Sequence, residues 1–230
     1  MKKILLVAAL AVCSLTVSAQ RASSSSSSFF STEKADGGVK FGIRAGLNLS
    51  NMSMSEDNVS VSLDSRASFH VGVVADIPLM QSLYVQTGLF LQDKGAKYEE
   101  GTLTETAKPM YLEIPVLASY RYNFSDAAQL QINVGPYFAY GISGKYKWEY
   151  EIGESGDKDF FGSYDYDDTF GAKRFDCGLQ FGAGMTFASH YYIGFAYQLG
   201  LTNIADLPSS YEGDYSVKNK NWMISLGYTF

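Results

Sequence analysis

Large apolar side chains occupy every second position of the last ten residues, NWMISLGYTF from Asn221 to Phe230. A period of two predicts a β-strand and excludes a helix. Aromatic residues stand at both ends of the apolar face with aliphatic residues between them, which is typical of a strand that crosses a bilayer. We therefore expect this strand to close a membrane barrel. One face carries Trp222, Ile224, Leu226, Tyr228 and Phe230, and the other carries Met223, Ser225, Gly227 and Thr229.

Residues 1–19 predict a cleaved signal peptide. Two lysines are followed by an apolar run from Ile4 to Leu15 and by a small-residue cleavage site that ends at Ala19. The run is too short to span a bilayer as a helix. The alternative is a lipoprotein site with Cys13 lipidated, but Val12 fits poorly just before that cysteine.

Cleavage removes two lysines and leaves 16 basic against 24 acidic side chains, so the formal charge moves from −6 to −8. An acidic chain argues against nucleic acid as a partner. Only Cys177 then remains, which excludes an intramolecular disulfide. No later stretch offers about 18 consecutive apolar residues, so no transmembrane helix is expected. The length fits a single domain.

Residues 20–38 form a serine-rich leader that includes six consecutive serines, and this composition predicts a flexible spacer. Residues 39–230 form the predicted barrel domain, in which eight segments alternate between apolar and polar positions. The predicted strands are Val39–Leu49, Ala67–Ile77, Leu83–Tyr98, Lys108–Tyr122, Gln129–Lys147, Lys173–Ala188, Tyr191–Leu201 and Asn221–Phe230.

The connections between these strands alternate in length. The short ones are Pro78–Ser82, Asn123–Ala128 and Ser189–His190, and the long ones are Ser50–Arg66, Glu99–Ala107, Trp148–Ala172 and Thr202–Lys218. This pattern predicts an all-β fold, an eight-stranded antiparallel up-and-down transmembrane β-barrel. Its short turns and both termini would face the periplasm of a Gram-negative bacterium, and its long loops would be extracellular.

A soluble barrel of the lipocalin type also has alternating strands, but its large apolar side chains point inward. Here the minor face is rich in glycine and carries the charges, which suits a narrow lumen. The major face carries no charge between the strand ends, so we expect it to contact outer-membrane lipids. Its aromatic residues form two predicted interfacial belts. The periplasmic belt comprises Tyr120, Tyr122, Phe187, Tyr191, Tyr228 and Phe230, and the outer belt comprises Phe69, Tyr140, Phe175 and Trp222.

Five charged residues fall on the inward face and predict a structural salt-bridge network, because isolated charges are costly in a narrow lumen. A proton or ion path is the alternative, although an eight-stranded lumen is normally filled by its own side chains. The five residues are Arg44, Asp76, Glu113, Arg121 and Asp176.

Nucleophilic catalysis has little support in the sequence. After cleavage the histidines are His70, which points inward, and His190, which lies in a predicted periplasmic turn. No spacing singles out a catalytic triad. We expect His70 to be a hydrogen-bonded filler of the lumen, and we predict no catalytic, cofactor-binding or metal-binding residue.

The loop Trp148–Ala172 combines acidic and aromatic residues, which predicts an outward contact surface for a protein partner. Its aromatic candidates are Trp148, Tyr150, Phe160, Phe161, Tyr164 and Tyr166. One alternative is an acidic, solvated loop bridged to lipid phosphates by divalent cations. Another is a weak calcium site at Asp165, Asp167 and Asp168, but the spacing of a calcium loop is missing.

Several segments resemble the PorT-like outer-membrane β-barrel domain of Bacteroidota. They are FGIRAGLNLSNMS at Phe41–Ser53, YLEIPVLASYRYN at Tyr111–Asn123, RFDCGLQFGAGM at Arg174–Met185 and the final SLGYTF. The resemblance implies an eight-stranded outer-membrane barrel, and Phe230 resembles the signal read by the barrel assembly machinery. One member of that family is tied to type IX secretion, which implies an accessory role in secretion and a surface or secretion-system partner.

The sequence thus predicts a non-enzymatic outer-membrane barrel with a structural or interaction role. The alternative function is an outer-membrane lipid or peptide hydrolase or acyltransferase.

Overall fold

The computed structural model describes residues 38–56, 59–125, 127–151, 153–165, 168–207 and 215–230. The predicted signal peptide and all of the leader except Gly38 lie outside these ranges. Within them, no helix is both long and apolar enough to cross a membrane. The strands are β1 Lys40–Glu56, β2 Val59–Ser62, β3 Arg66–Pro78, β4 Leu83–Asp93, β5 Ala96–Glu100, β6 Leu103–Ser125, β7 Ala128–Tyr150, β8 Ser155–Phe161, β9 Thr169–Ala172, β10 Phe175–Phe187, β11 Tyr191–Gly200 and β12 Tyr215–Thr229.

Eight of the described strands pair in a closed antiparallel ring. The order is β1, β3, β4, β6, β7, β10, β11 and β12, and β12 pairs again with β1. In the closing pair, Gly42 lies opposite Thr229 and Ser50 lies opposite Asn221. A closed ring leaves no unpaired strand edge, which would otherwise invite aggregation. The predicted closing position of the last strand therefore agrees with the pairing.

The two ends of the ring differ. At one end, called the turn end, the connections span residues 79–82, 126–127 and 188–190, and β12 finishes there. At the other end, called the loop end, β6 and β7 are 23 residues long, and β7 continues ten residues beyond Tyr140 of the predicted outer belt.

Three predicted loops are more regular than the sequence indicated. Strand β2 lies in the predicted loop Ser50–Arg66, and both β8 and β9 lie in Trp148–Ala172. The predicted loop Glu99–Ala107 is a tight turn between β5 and β6, made possible by Gly101 at φ 59°. These additional strands form because strand edges that continue past the ring offer unpaired backbone groups to the following chain.

The alternating faces follow the sequence pattern. Leu226 is 62% exposed and Ile132 is 53% exposed, whereas the inward Gln131 is 1% exposed. Glycine on the inward face makes room for neighbours, since a Cβ at Gly46 would lie 2.7 Å from the ring of His70. The apolar side chains therefore cover the outside of the ring, and polar side chains fill its interior.

Candidate functional sites in the ring interior and at the loop end

The turn-end half of the interior holds one charged group, here called the lower layer. Arg44 donates from Nη1 to Gln86 Oε1 at 2.8 Å, and Gln86 donates from Nε2 to Asp76 Oδ1 at 2.7 Å. The same Asp76 oxygen lies 2.7 Å from Arg121 Nη2. One carboxylate and one amide thus link two guanidinium groups across β1, β3, β4 and β6.

Aromatic rings hold both guanidinium groups of the lower layer. The guanidinium carbon of Arg44 lies 3.7 Å from the centre of the Tyr192 ring, and that of Arg121 lies 4.2 Å from the Tyr84 ring. Such contacts stabilise a cation that has left water. On the turn-end side of the layer is a cavity of about 340 Å³ whose wall includes Lys40. The lower layer separates this cavity from the rest of the interior.

The loop-end half holds a second group, here called the upper layer. Lys94 Nζ lies 2.7 Å from Glu113 Oε2 and 3.9 Å from Asp176 Oδ2, and each of these side chains is at most 1% exposed. Glu113 Oε1 also accepts from the amides of Gln92 at 3.0 Å and Gln198 at 2.5 Å. Removing Lys94 would leave two buried carboxylates without their cation.

Asp176, the second carboxylate of the upper layer, has its own donors. Its Oδ2 accepts from Asn219 Nδ2 at 3.0 Å and from the Tyr137 hydroxyl at 3.3 Å. The Lys94 ammonium also lies 4.3 Å from the centre of the Tyr137 ring. One ammonium, three amides and a phenol therefore share the charge of two carboxylates.

The five predicted lumen charges do not form one network. Arg44, Asp76 and Arg121 lie in the lower layer, whereas Glu113 and Asp176 lie in the upper layer. The cation of the upper layer is Lys94, which is not among the five predicted charges. A signal was present, because the even-numbered residues from Tyr84 to Gln92 face inward and Lys94 continues that alternation.

His70 lies between the two layers and joins strands through hydrogen bonds. Its Nδ1 is 2.8 Å from Asn48 Oδ1, and its Nε2 is 2.9 Å from Ser225 Oγ. Ser225, His70 and Asn48 are thus hydrogen-bonded in the same order as the nucleophile, the base and the orienting group of a catalytic triad. However, the cavity beside Ser225 measures about 30 Å³, which is room for about one water molecule. Asn48 in turn donates to Gln92 Oε1 at 3.0 Å, so His70 extends the upper layer.

Aromatic residues close the loop end. The cap, defined as β8, β9 and residues 203–205, places Phe160 and Phe161 over the interior, at 0% and 6% exposure. The Phe161 ring meets Tyr111 edge-on at 5.4 Å, and the Phe160 ring stacks on Phe170 at 5.1 Å. Tyr146 lies beside them. Burial, and to a smaller extent a hydrogen bond to Glu105, raises the pKa of Tyr146.

The predicted contact surface requires correction. Phe160 and Phe161 are buried in the cap because β8 folds back along β7, so neither can meet a partner. Tyr150 and Tyr164 are exposed and Trp148 is half-buried. Tyr166 and Asp167 lie outside the described residues. Among the described residues, no group of three or more His, Cys, Asp or Glu side chains is arranged to hold a metal ion.

A closed antiparallel ring with an apolar outside and a polar, charged inside defines the class of membrane β-barrels. The family model described as outer membrane protein beta-barrel domain matches residues 19–206, and the chain belongs to this family. This membership implies the outer membrane of a Gram-negative bacterium. No curated protein has a sequence that matches the chain.

Solved structures of outer-membrane proteins are similar to this chain at low identity. Ail of Yersinia pestis, in complex with sucrose octasulfate, has a TM-score of 0.41 and 16% identity over 84% of this chain and 99% of its own. OprG of Pseudomonas aeruginosa has a TM-score of 0.42 and 13% identity over 86% and 97%. Neisserial surface protein A has a TM-score of 0.40 and 10% identity over 84% and 100%.

Proposed function

We propose that the chain is an eight-stranded transmembrane barrel whose outward face contacts outer-membrane lipids. Its turn end and both termini lie in the periplasm, and its loop end lies outside the cell. The short turns and the long extensions of β6 and β7 support this orientation, because bacterial barrels place short turns on the periplasmic side.

The barrel has a non-enzymatic role that is performed by the surface of its loop end. The observation that carries this proposal is the closed interior, in which Lys94, Glu113 and Asp176 are almost fully buried beneath an aromatic cap. Above the lower layer, the described part of this interior offers neither a water-filled channel nor room for a substrate, since its cavity there measures about 30 Å³. The surface that remains for recognition is formed by exposed groups such as Tyr150 and Tyr164.

The partner is a surface or secretion-system protein, and an accessory role in secretion follows from the resemblance to the PorT-like domain of Bacteroidota. Phe230 is 70% exposed and directly follows the closing strand, which fits recognition by the barrel assembly machinery during insertion. The PorT-like assignment would therefore give the chain two kinds of protein contact, one during assembly and one at the cell surface.

Photocrosslinking in intact cells tests the surface role. A photoreactive residue replaces Tyr150 or Tyr164, and the control replaces Phe124, which is exposed beside the turn end. We expect one neighbour to crosslink from both loop-end positions and not from position 124. Crosslinks from position 124 alone would move the interaction to the periplasmic side.

The alternative, a lipid or peptide hydrolase or acyltransferase, draws on the geometry of Ser225, His70 and Asn48. Refolded wild-type barrel is incubated with phospholipid and peptide substrates beside the His70→Gln variant. We expect no turnover from either protein. Turnover that the substitution abolishes would establish the enzymatic alternative and overturn the proposal.

A further inference from the structure

A basic cavity lies on the outer wall of the barrel near the loop end. Its volume is about 460 Å³. It lies where the pairing of β7 with β10 ends and the pairing of β7 with β8 begins. Four cations and one carboxylate line it, so its formal charge is positive. The charged lining residues are Lys108, Lys145, Lys147, Arg174 and Asp159.

The cations differ in how far they are already neutralised. Lys145 Nζ lies 3.2 Å from Asp157 and 2.9 Å from Asp159, and hydrogen bonds to these two carboxylates raise its pKa. Among the described residues, no carboxylate oxygen lies at ion-pair distance from Lys108 or Lys147, although Asp93 interacts with Lys108 at longer range. Lys108 and Lys147 are therefore available to an external anion.

Arg174 is held in place at the wall of the cavity. Its Nη1 donates to the carbonyl oxygen of Gly141 at 2.9 Å, and its guanidinium lies 5.2 Å from the centre of the Phe161 ring. A guanidinium fixed in this way presents its remaining donors at low entropic cost, which suits a phosphate oxygen.

The lower wall of the cavity is apolar. Ile142 is 47% exposed and Met110 is half-buried, and both continue the outward face towards Leu112. A ligand here would meet cations at one end and a lipid-like surface at the other. This combination matches an amphiphile with an anionic headgroup.

The depth of the cavity agrees with a headgroup region. Lys108 and Tyr120 both face outward on β6, twelve residues apart. At about 3.3 Å per residue and a strand tilt of about 40°, they are separated by about 30 Å along the membrane normal. The apolar band of a bacterial barrel is about 25 Å tall, so Lys108 lies just beyond it when Tyr120 marks the opposite interface.

We propose that this cavity binds the phosphate group of an outer-leaflet glycolipid, with Lys108, Lys147 and Arg174 on the phosphate and Ile142 and Met110 beside the acyl chains. The proposal rests on the membrane placement described above. It assigns a specific lipid site to a wall that otherwise has only general contact with lipid.

Lipid binding to the refolded barrel tests the proposal. Native mass spectrometry in detergent follows titration with diphosphoryl lipid A, with dephosphorylated lipid A and with inorganic phosphate. The Lys108→Gln/Lys147→Gln variant is compared with Lys218→Gln/Lys220→Gln, which removes two outward lysines just beyond Trp222 on β12, away from the cavity.

We expect the first variant to bind diphosphoryl lipid A about 30-fold more weakly than wild type, because each lysine near an anionic surface contributes about a fivefold effect. The second variant should lose less than about threefold. Equal losses in both variants, equal binding of dephosphorylated lipid A, or displacement of the lipid by millimolar inorganic phosphate would each overturn the site.

Insertion into phosphatidylcholine vesicles separates this inference from the proposed membrane placement. A barrel that does not insert would refute the placement, and the site with it. A barrel that inserts but does not discriminate between the two forms of lipid A would refute the site alone.

Discussion

Replacing Lys94 with methionine removes the only ammonium of the upper layer and keeps a side chain of similar length. Glu113 retains its two amide donors, and Asp176 retains Asn219 and Tyr137, but both carboxylates lose their cation. At 2.7 Å, two unit charges attract with about 6 kcal/mol for an effective dielectric constant of about 20. Desolvation of Lys94 offsets part of this attraction. We therefore expect a loss of about 3 to 5 kcal/mol in unfolding free energy, the usual cost of breaking a buried pair.

A matched control lies three residues along the chain. Lys97 pairs with Glu99, but their side chains are 40% and 56% exposed. An exposed pair contributes at most about 1 kcal/mol, so Lys97→Met should be nearly neutral. The difference between the two lysine variants isolates the effect of burial from the effect of losing a positive charge.

Equilibrium unfolding in urea, in thin phospholipid bilayers, measures these losses through the fluorescence of the chain's two tryptophans. Equal m-values would show that the variants expose the same surface on unfolding. Lys94→Met/Glu113→Gln should be less destabilised than the sum of its single variants, with a coupling of about 2 kcal/mol.

Two results together would contradict this expectation: Lys94→Met unfolds within about 1 kcal/mol of wild type, as expected for Lys97→Met, and the double variant is additive. Such a result would mean that water solvates the upper layer, and the closed interior on which the non-enzymatic role rests would then have to be abandoned.

Three further substitutions probe the outer face, the cap and the inward glycines. Leu226→Arg should destabilise the inserted barrel by about 2 to 4 kcal/mol in the same urea assay, and unchanged insertion would show that the face assignment is wrong. Phe160→Ala should expose the cap to limited proteolysis while the barrel resists, and Tyr164→Ala, at an exposed position, should not. Gly46→Val should lower the yield of heat-modifiable folded barrel on gels, because its Cβ would collide with His70; a normal yield would contradict that packing.

The outer face could be predicted because its signal is local. Leu226 and Ile132 each stand in a run that alternates over several residues, and alternation alone decides which side chains share a face. No knowledge of neighbouring strands was needed. The exposed outward side chains therefore follow directly from the sequence.

The interior contacts could not be predicted because they depend on register. Gly46 pairs with Ser225 on one side and with His70 on the other, and this pairing brings Ser225 and His70 to 2.9 Å. A shift of any one strand by two residues would keep every face and lose this contact. Sequence alternation therefore predicts that His70 lies inside the barrel, but it does not predict its hydrogen-bond partners.

The cap was misjudged for a different reason. Phe160 and Phe161 stand in an acidic segment, where composition favours an exposed loop. The extension of β7 past the end of β10 leaves an edge that β8 pairs with, and that pairing turns both rings inward. The burial of both rings thus depends on a strand pairing that local composition does not reveal.

The two layers and the cap together determine where a function can reside. An ion that crossed the lumen would have to separate Arg121 from Asp76 and Lys94 from Glu113, and would then have to pass Phe160. Each buried pair resists separation by several kcal/mol, and the two are far enough apart that their costs should add. Conduction or substrate entry through this interior would therefore cost a large part of the free energy that stabilises the fold. The cap surface and the basic cavity on the barrel wall, in contrast, can bind partners without disturbing either layer.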